Sequence, residues 1–224
     1  MILKKITSLL FLASGLFTMA VSASPVNDLN VQNEVNQFRS QVPGLNPKAL
    51  QLGLEAYTKA THEGLDKQQI LTIVDYTKPS TSRRLWVLDL KNHRVLFNDY
   101  VAHGQNSGGN YASAFSDRPG SLASSLGVFL TQSTYSGKHG YSLRVKGLEK
   151  GFNDRAESRD IVFHSADYAT AQFAQSHGRL GRSWGCFAVS PKIAGPLIHT
   201  IKNGTLVFAY YPDPTWLSKS QFVS

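Results

Sequence analysis

The sequence predicts a mainly β domain with flanking helices, closed as a mixed, largely antiparallel sandwich or open barrel, with an N-terminal helical segment packed against it. Three observations carry this reading. Short runs rich in β-branched and aromatic residues recur between turn signals from residue 70 to residue 211. Helical periodicity is confined to a few stretches. No internal repeat or heptad pattern runs through the chain.

Taken in order, Lys4 and Lys5 precede an almost uncharged apolar run over residues 6–21, and Val21-Ser22-Ala23 offers small residues for cleavage. Residues 1–23 therefore read as a signal peptide. The run falls short of the roughly 20 residues that cross a bilayer, so the mature chain is expected outside the cytoplasm, periplasmic or secreted, with no membrane span. Residues 24–40 are polar without clear periodicity and read as loosely ordered. Asn46-Pro47 is an N-cap followed by proline at the first helical position, predicting a helix over 47–62 that stops at Gly64. Asp66 reads as the cap of a short turn, and residues 70–76 as a buried strand. The Lys-Pro-Ser-Thr-Ser breaker at 78–82 suggests a soft boundary: an N-terminal segment over 24–81, the main domain over 82–213 and a tail over 214–224.

Beyond it, runs at 84–90 and 94–102 flank Lys91-Asn92-His93, a hairpin signal. A second pair, 126–134 and 141–147, flanks a turn at 136–140, and residues 160–164 form a short strand ending in histidine. Gly, Ser or Ala fills 13 of the 21 positions from 107 to 127, which suits a loop over a site. Residues 168–176 and 191–202 read as helices, and 205–211 as a last strand after the Asn203-Gly204 turn.

The formal charge is +8. Without Lys4 and Lys5 it becomes +6, from 21 basic and 15 acidic side chains spread in ones and twos. Basic chains often meet nucleic acid, but export removes that partner and leaves anionic polymers of the cell envelope. The chain has one cysteine, Cys186, so an internal disulfide is excluded. A lone thiol in an oxidising compartment is either an inert buried side chain or a nucleophile.

Its neighbours favour the nucleophile. Gly181-Arg182-Ser183-Trp184-Gly185-Cys186 follows Asp160-Ile161-Val162-Phe163-His164-Ser165-Ala166. A catalytic thiol needs a base, positive surroundings and amide donors for the developing oxyanion. His164 supplies a base at a strand end, Arg179 and Arg182 supply charge, and Gly185 suits close backbone approach to a substrate, with its amide and that of Cys186 as donors. His103 and His139, in glycine-flanked loops, and Tyr135 are candidates to line the cleft. His62, His93 and His199 read as surface or structural, and His177 borders the active segment.

These residues resemble the L,D-transpeptidase catalytic family, also called YkuD-like. That family carries a strand-borne histidine followed by Ser or Gly, then Ser/Thr-His-Gly-Cys. Phe163-His164-Ser165-Ala166 matches the first part, and Ser183, Gly185 and Cys186 match three positions of the second, with Trp184 where the main family has histidine. The Arg-Ser-Trp-Gly-Cys form is similar to a subgroup of murein L,D-transpeptidases, as are the surroundings of His103, Ser124 to Gly127, Tyr135 to Gly140 and Gly147 to Glu149. The resemblance spans about residues 82–212.

It implies a peptidoglycan-modifying acyltransferase: Cys186 as nucleophile, His164 as base, and the Ser165 carbonyl fixing the histidine tautomer, with Tyr135, His139, Trp184, Arg182 and His103 contacting substrate. The implied donor is a stem peptide with diaminopimelate before a terminal D-alanine, and the acceptor an amine on a second stem peptide or an envelope protein. Resolution by water would make an L,D-carboxypeptidase. No cofactor or metal is called for. The alternatives are a zinc-dependent wall hydrolase, disfavoured by the absence of His-Glu-x-x-His, and a non-catalytic wall-binding module with an inert Cys186. Sortases need an arginine after their cysteine, and none follows Cys186.

Overall fold

A computed structural model describes residues 30–66 and 68–223; the expected signal peptide lies outside them. The first element among the described residues is a helix that the sequence reading missed, α1 (Val31–Arg39), capped by the Asn30 side chain accepting from the Asn33 amide at 3.2 Å. Val31, Val35 and Phe38 recur at helical spacing and pack on the core, with Phe38 fully buried. The Asn and Gln residues around them hide this stripe. Next comes α2 (Pro47–His62), capped as expected by Asn46, whose side chain accepts from the Lys48 amide at 2.9 Å. Its apolar face packs on the sheet.

One eight-stranded sheet follows: β1 (Ile70–Asp75), β2 (Leu85–Asp89), β3 (Arg94–Asp99), β4 (Gly127–Gly137), β5 (Gly140–Gly147), β6 (Val162–Ser165), β7 (Phe187–Val189) and β8 (Leu206–Tyr210). The spatial order is β3-β2-β1-β8-β4-β5-β6-β7. Pairing is antiparallel except for β1 with β8 and β6 with β7. β1 lies inside the sheet, so the sheet runs across the breaker at 78–82. The chain after β3 reaches the opposite edge, where the Ala102 amide donates to the Ala188 carbonyl at 2.8 Å. The sheet is thereby a nearly closed barrel, mainly β with flanking helices.

The helices α3 (Ala171–His177) and α4 (Pro191–Ile201) match the sequence reading, whereas three-residue β7 was too short to announce itself. The C-terminal segment carries α5 (Pro214–Leu217) and buries Trp216 and Phe222, the Trp216 indole donating to Glu149 at 3.1 Å. The glycine-rich stretch over 107–127 does not hang over a site. Its Ser107, Ser124 and Ser125 are buried, Ser124 N–H donates to Ser107 Oγ at 2.8 Å, and Gly104 N–H donates to Ser124 Oγ at 3.0 Å. Small residues here allow dense backbone packing beneath the cysteine turn.

Candidate active site

β6 and β7 lie side by side and parallel, with Phe163 opposite Phe187 and His164 opposite Ala188. Cys186 immediately precedes β7, level with Val162, two residues before His164 on the neighbouring strand. Residues two apart on a strand share a face, and Val162, His164 and Cys186 all line one cleft. Strand spacing puts the Cys186 and His164 Cα atoms roughly 8 Å apart. The aromatic pair beneath, Phe163 stacked on Phe187 at 4.7 Å, anchors both strands.

His164 Nδ1 lies 2.9 Å from the Ser165 carbonyl, which makes Nδ1–H the donor and leaves the lone pair on Nε2. Burial depresses its pKa, the Ser165 carbonyl opposes this, and charge on His139 depresses it further. The Cys186 thiol is pushed up by burial, against the pull of the Val162 N–H and Arg159, with Asp160 adding to the rise. Sulfur and imidazole therefore rest as a neutral pair. The thiol donates to the Asp160 carbonyl at 3.5 Å.

Ser183 shapes the cysteine turn, its hydroxyl donating to the Cys186 carbonyl at 2.7 Å and accepting from Gly185 N–H at 3.1 Å. Two expectations change here. The Gly185 amide is engaged by Ser183, so it is not an open oxyanion donor. Gly185 is required by its own backbone, at φ +118°, and by the protein behind it, since a Cβ would stand 2.7 Å from the Ala123 carbonyl. The close approach is to protein rather than substrate.

The cleft measures about 840 Å³. Tyr135, His139, Arg182 and Trp184 line it as expected, Trp184 with 69% of its surface exposed. His139 stacks on His164, ring centroids 4.4 Å apart at 29°. Arg182 donates to the Gln105 and Gly108 carbonyls.

His103 is a correction: it is 1% exposed and outside the cleft, with Nδ1 2.7 Å from Arg84 Nη2. Its glycine flanks resemble a cleft loop, but its side chain is consumed by a buried arginine. His177 stacks on Phe173 at its helix end, and Arg179 bonds the Leu180 carbonyl; neither lines the cleft.

Sequence reasoning missed Arg159, which lines the cleft and is the arginine that pulls on the thiol. It donates to the carbonyls of Ser116 and Ala123 and to the Ser121 and Ser125 hydroxyls, and lies 3.6 Å from Asp117. Its place directly before the histidine strand was the available signal. Tyr168, Lys138, Arg144 and Glu157 also line the cleft. Among the described residues, no three His, Cys, Asp or Glu side chains group so as to hold a metal ion, and no helix is long and apolar enough to cross a membrane.

A cysteine and a tautomer-fixed histidine thus share a cleft on adjacent parallel strands. The model of the L,D-transpeptidase catalytic domain matches residues 41–210, and the chain belongs to that family. The match begins within the segment before α2.

Solved structures resemble the chain more distantly. An L,D-transpeptidase from Mycobacterium smegmatis is 15% identical with a TM-score of 0.41, the match covering 64% of this chain and 59% of that one. L,D-transpeptidase 3 from Mycobacterium tuberculosis is 16% identical at 0.40, covering 64% and 61%. An L,D-transpeptidase from Stackebrandtia nassauensis is 14% identical at 0.38, covering 80% and 77%. The chain thus spans less than two thirds of the two mycobacterial proteins. No curated protein matches it.

Proposed function

We propose that the protein is a cysteine acyltransferase of the cell envelope, an L,D-transpeptidase acting on peptidoglycan stem peptides. The supporting observation is that Cys186 and His164 line one cleft from adjacent parallel strands, in a chain of this family. The lysine-led apolar run over residues 1–21 supports export to the compartment where that polymer lies.

In this reading the Cys186 side chain turns from the Asp160 carbonyl toward His164 Nε2. Nε2 takes the thiol proton as sulfur adds to the diaminopimelate carbonyl before the terminal D-alanine. The C–N bond then breaks, the imidazolium returns that proton to the departing D-alanine amine, and a thioester remains on Cys186. An acceptor amine, on a second stem peptide or an envelope protein, gives a proton to Nε2 as it attacks the thioester, and sulfur leaves to recover the proton. Lys138, Arg144 and Arg182 suit the carboxylates of the stem peptides, while Glu157 and Asp160 suit an incoming amine. Trp184 offers an apolar wall.

Incubating mature protein with purified sacculi and analysing muropeptides tests this. Wild type should create stem cross-links or remove D-alanine, and Cys186→Ala should do neither while keeping its thermal midpoint. Products persisting in the variant refute the nucleophile; no product from wild type refutes the reaction. N-terminal sequencing of the exported protein should begin at Ser24.

A further inference from the structure

The hairpin formed by β4 and β5 is longer than the sheet needs. β6 pairs with β5 only at Leu143 and Arg144, so residues 135–142 project past the last ladder contact. Between Thr131 and Thr134 the register shifts, three steps along β4 matching two along β5. A bulge of this kind bends its strand and strengthens its twist. The Arg144 guanidinium over the Tyr135 ring, 4.1 Å from its centroid, braces the projecting arm. At the tip, between Lys138 and Gly140 with its φ of +73°, sits His139. Although this tip is exposed, the His139 ring lies on the His164 ring at 4.4 Å and 29°.

We propose that His139 is a positioning residue for the general base, delivered by the bent hairpin to cover one face of the His164 imidazole. The inference rests on the reading of His164 as that base. Two contacts then fix the ring: the Ser165 carbonyl on Nδ1 sets its tautomer and its rotation, and the flat His139 ring sets its tilt. Neither contact touches Nε2, which stays available to the thiol. The stack also opposes charge on His164, because an imidazolium at one ring disfavours an imidazolium at the other.

Several other titratable groups line the same cleft. Lys138 lies on the hairpin, Glu157, Arg159 and Asp160 before β6, Tyr168 after it, and Arg182 and Cys186 on the turn before β7. Of the aromatic and imidazole rings among the described residues, His139 is the one stacked on His164.

His139→Ala, His139→Phe and His164→Ala, each in the mature chain, separate the possibilities through kcat, KM and the pH dependence of kcat/KM with a stem-peptide donor and an amine acceptor. His139→Ala should lower kcat by about 10²-fold, the scale of a base misplaced by an ångström, with KM little changed. His139→Phe, which keeps a flat ring, should restore most of kcat. In both variants the acid limb of kcat/KM should move to higher pH, since the opposing charge is gone. Thermal midpoints should stay at the wild-type value because the tip is exposed.

An unchanged kcat and acid limb in His139→Ala overturns the proposal, as does a rise in KM alone, which would make His139 a substrate contact. Equal damage in both variants with an unmoved limb also overturns it, because a particular nitrogen rather than a flat ring would then be required. Full activity in His164→Ala refutes the base assignment itself, a result distinct from any of these.

Discussion

Arg84 Nη2 stands 2.7 Å from His103 Nδ1, with both side chains buried. An arginine donates only, so Nδ1 accepts and the proton of His103 sits on Nε2, facing the Gly108 carbonyl at 3.4 Å. The same guanidinium donates to the carbonyls of Val101 and Lys78. The pair therefore ties together the chain on either side of β2 and β3, beneath the turn that carries Cys186.

Burial, with Arg84 adding like charge, lowers His103 from 6.5 to about 4. A depressed histidine pKa gives stability that is complete above the ordinary histidine range and lost as pH falls toward 4. The full effect is about 3 kcal/mol. In urea unfolding at pH 7 and pH 4, His103→Asn should lose less stability than wild type between the two. His164, also depressed, contributes in the same direction in both proteins and cancels from the comparison. Equal losses would show that His103 is not held neutral.

Arg159 and Asp117 are both nearly inaccessible, with 3% and 5% of their side chains exposed. Removing one partner of a buried pair strands the other, so Arg159→Met should cost about 3 to 5 kcal/mol in chemical unfolding. Arg159→Lys keeps a charge but not the fork of donors, and should fall between. Because Arg159 pulls the Cys186 pKa down, the inflection of thiol alkylation against pH should rise in the Met variant. An unmoved inflection would remove Arg159 from the site's electrostatics.

Gly185→Ala places a Cβ against the Ala123 carbonyl at a backbone angle that side chains seldom adopt. The strain is about 1 to 3 kcal/mol. Displacement of the adjacent sulfur should lower kcat/KM by about 10²-fold. Activity equal to wild type in a folded variant would show that the turn tolerates movement.

Trp184 touches little of its own protein, so Trp184→Ala should shift unfolding by less than about 0.5 kcal/mol. If the ring forms a substrate wall, kcat/KM should fall about tenfold, equivalent to about 1.4 kcal/mol. Unchanged kinetics would make the ring a bystander.

Much of this was legible in the sequence, for local reasons. Asn46-Pro47 and Gly64 mark the ends of α2 because capping is local chemistry, and both hairpins announce themselves through their turns. Cys186 and His164 stand out because their immediate neighbours carry the pattern. What stayed hidden depends on partners distant in the chain. His103 needed Arg84, and the close fit of Gly185 against the Ala123 carbonyl joins two loops far apart in the chain. Arg159 serves four acceptors on a loop more than thirty residues away, a relation that no periodicity expresses. α1 was obscured differently, by amide side chains outnumbering its three apolar anchors.

The bond from Ala102 to Ala188 joins the segment after β3 to β7, the strand at the far end of the sheet's order, and Cys186 lies two residues from that seam. Closing so long a loop costs entropy that local pairing alone does not offset. The thiol's surroundings thus depend on a long-range closure of the sheet and not on local structure alone. A fragment that begins after Ala102 would still contain the cysteine but not this seam, so the reactivity of Cys186 reports that the two ends of the sheet have met.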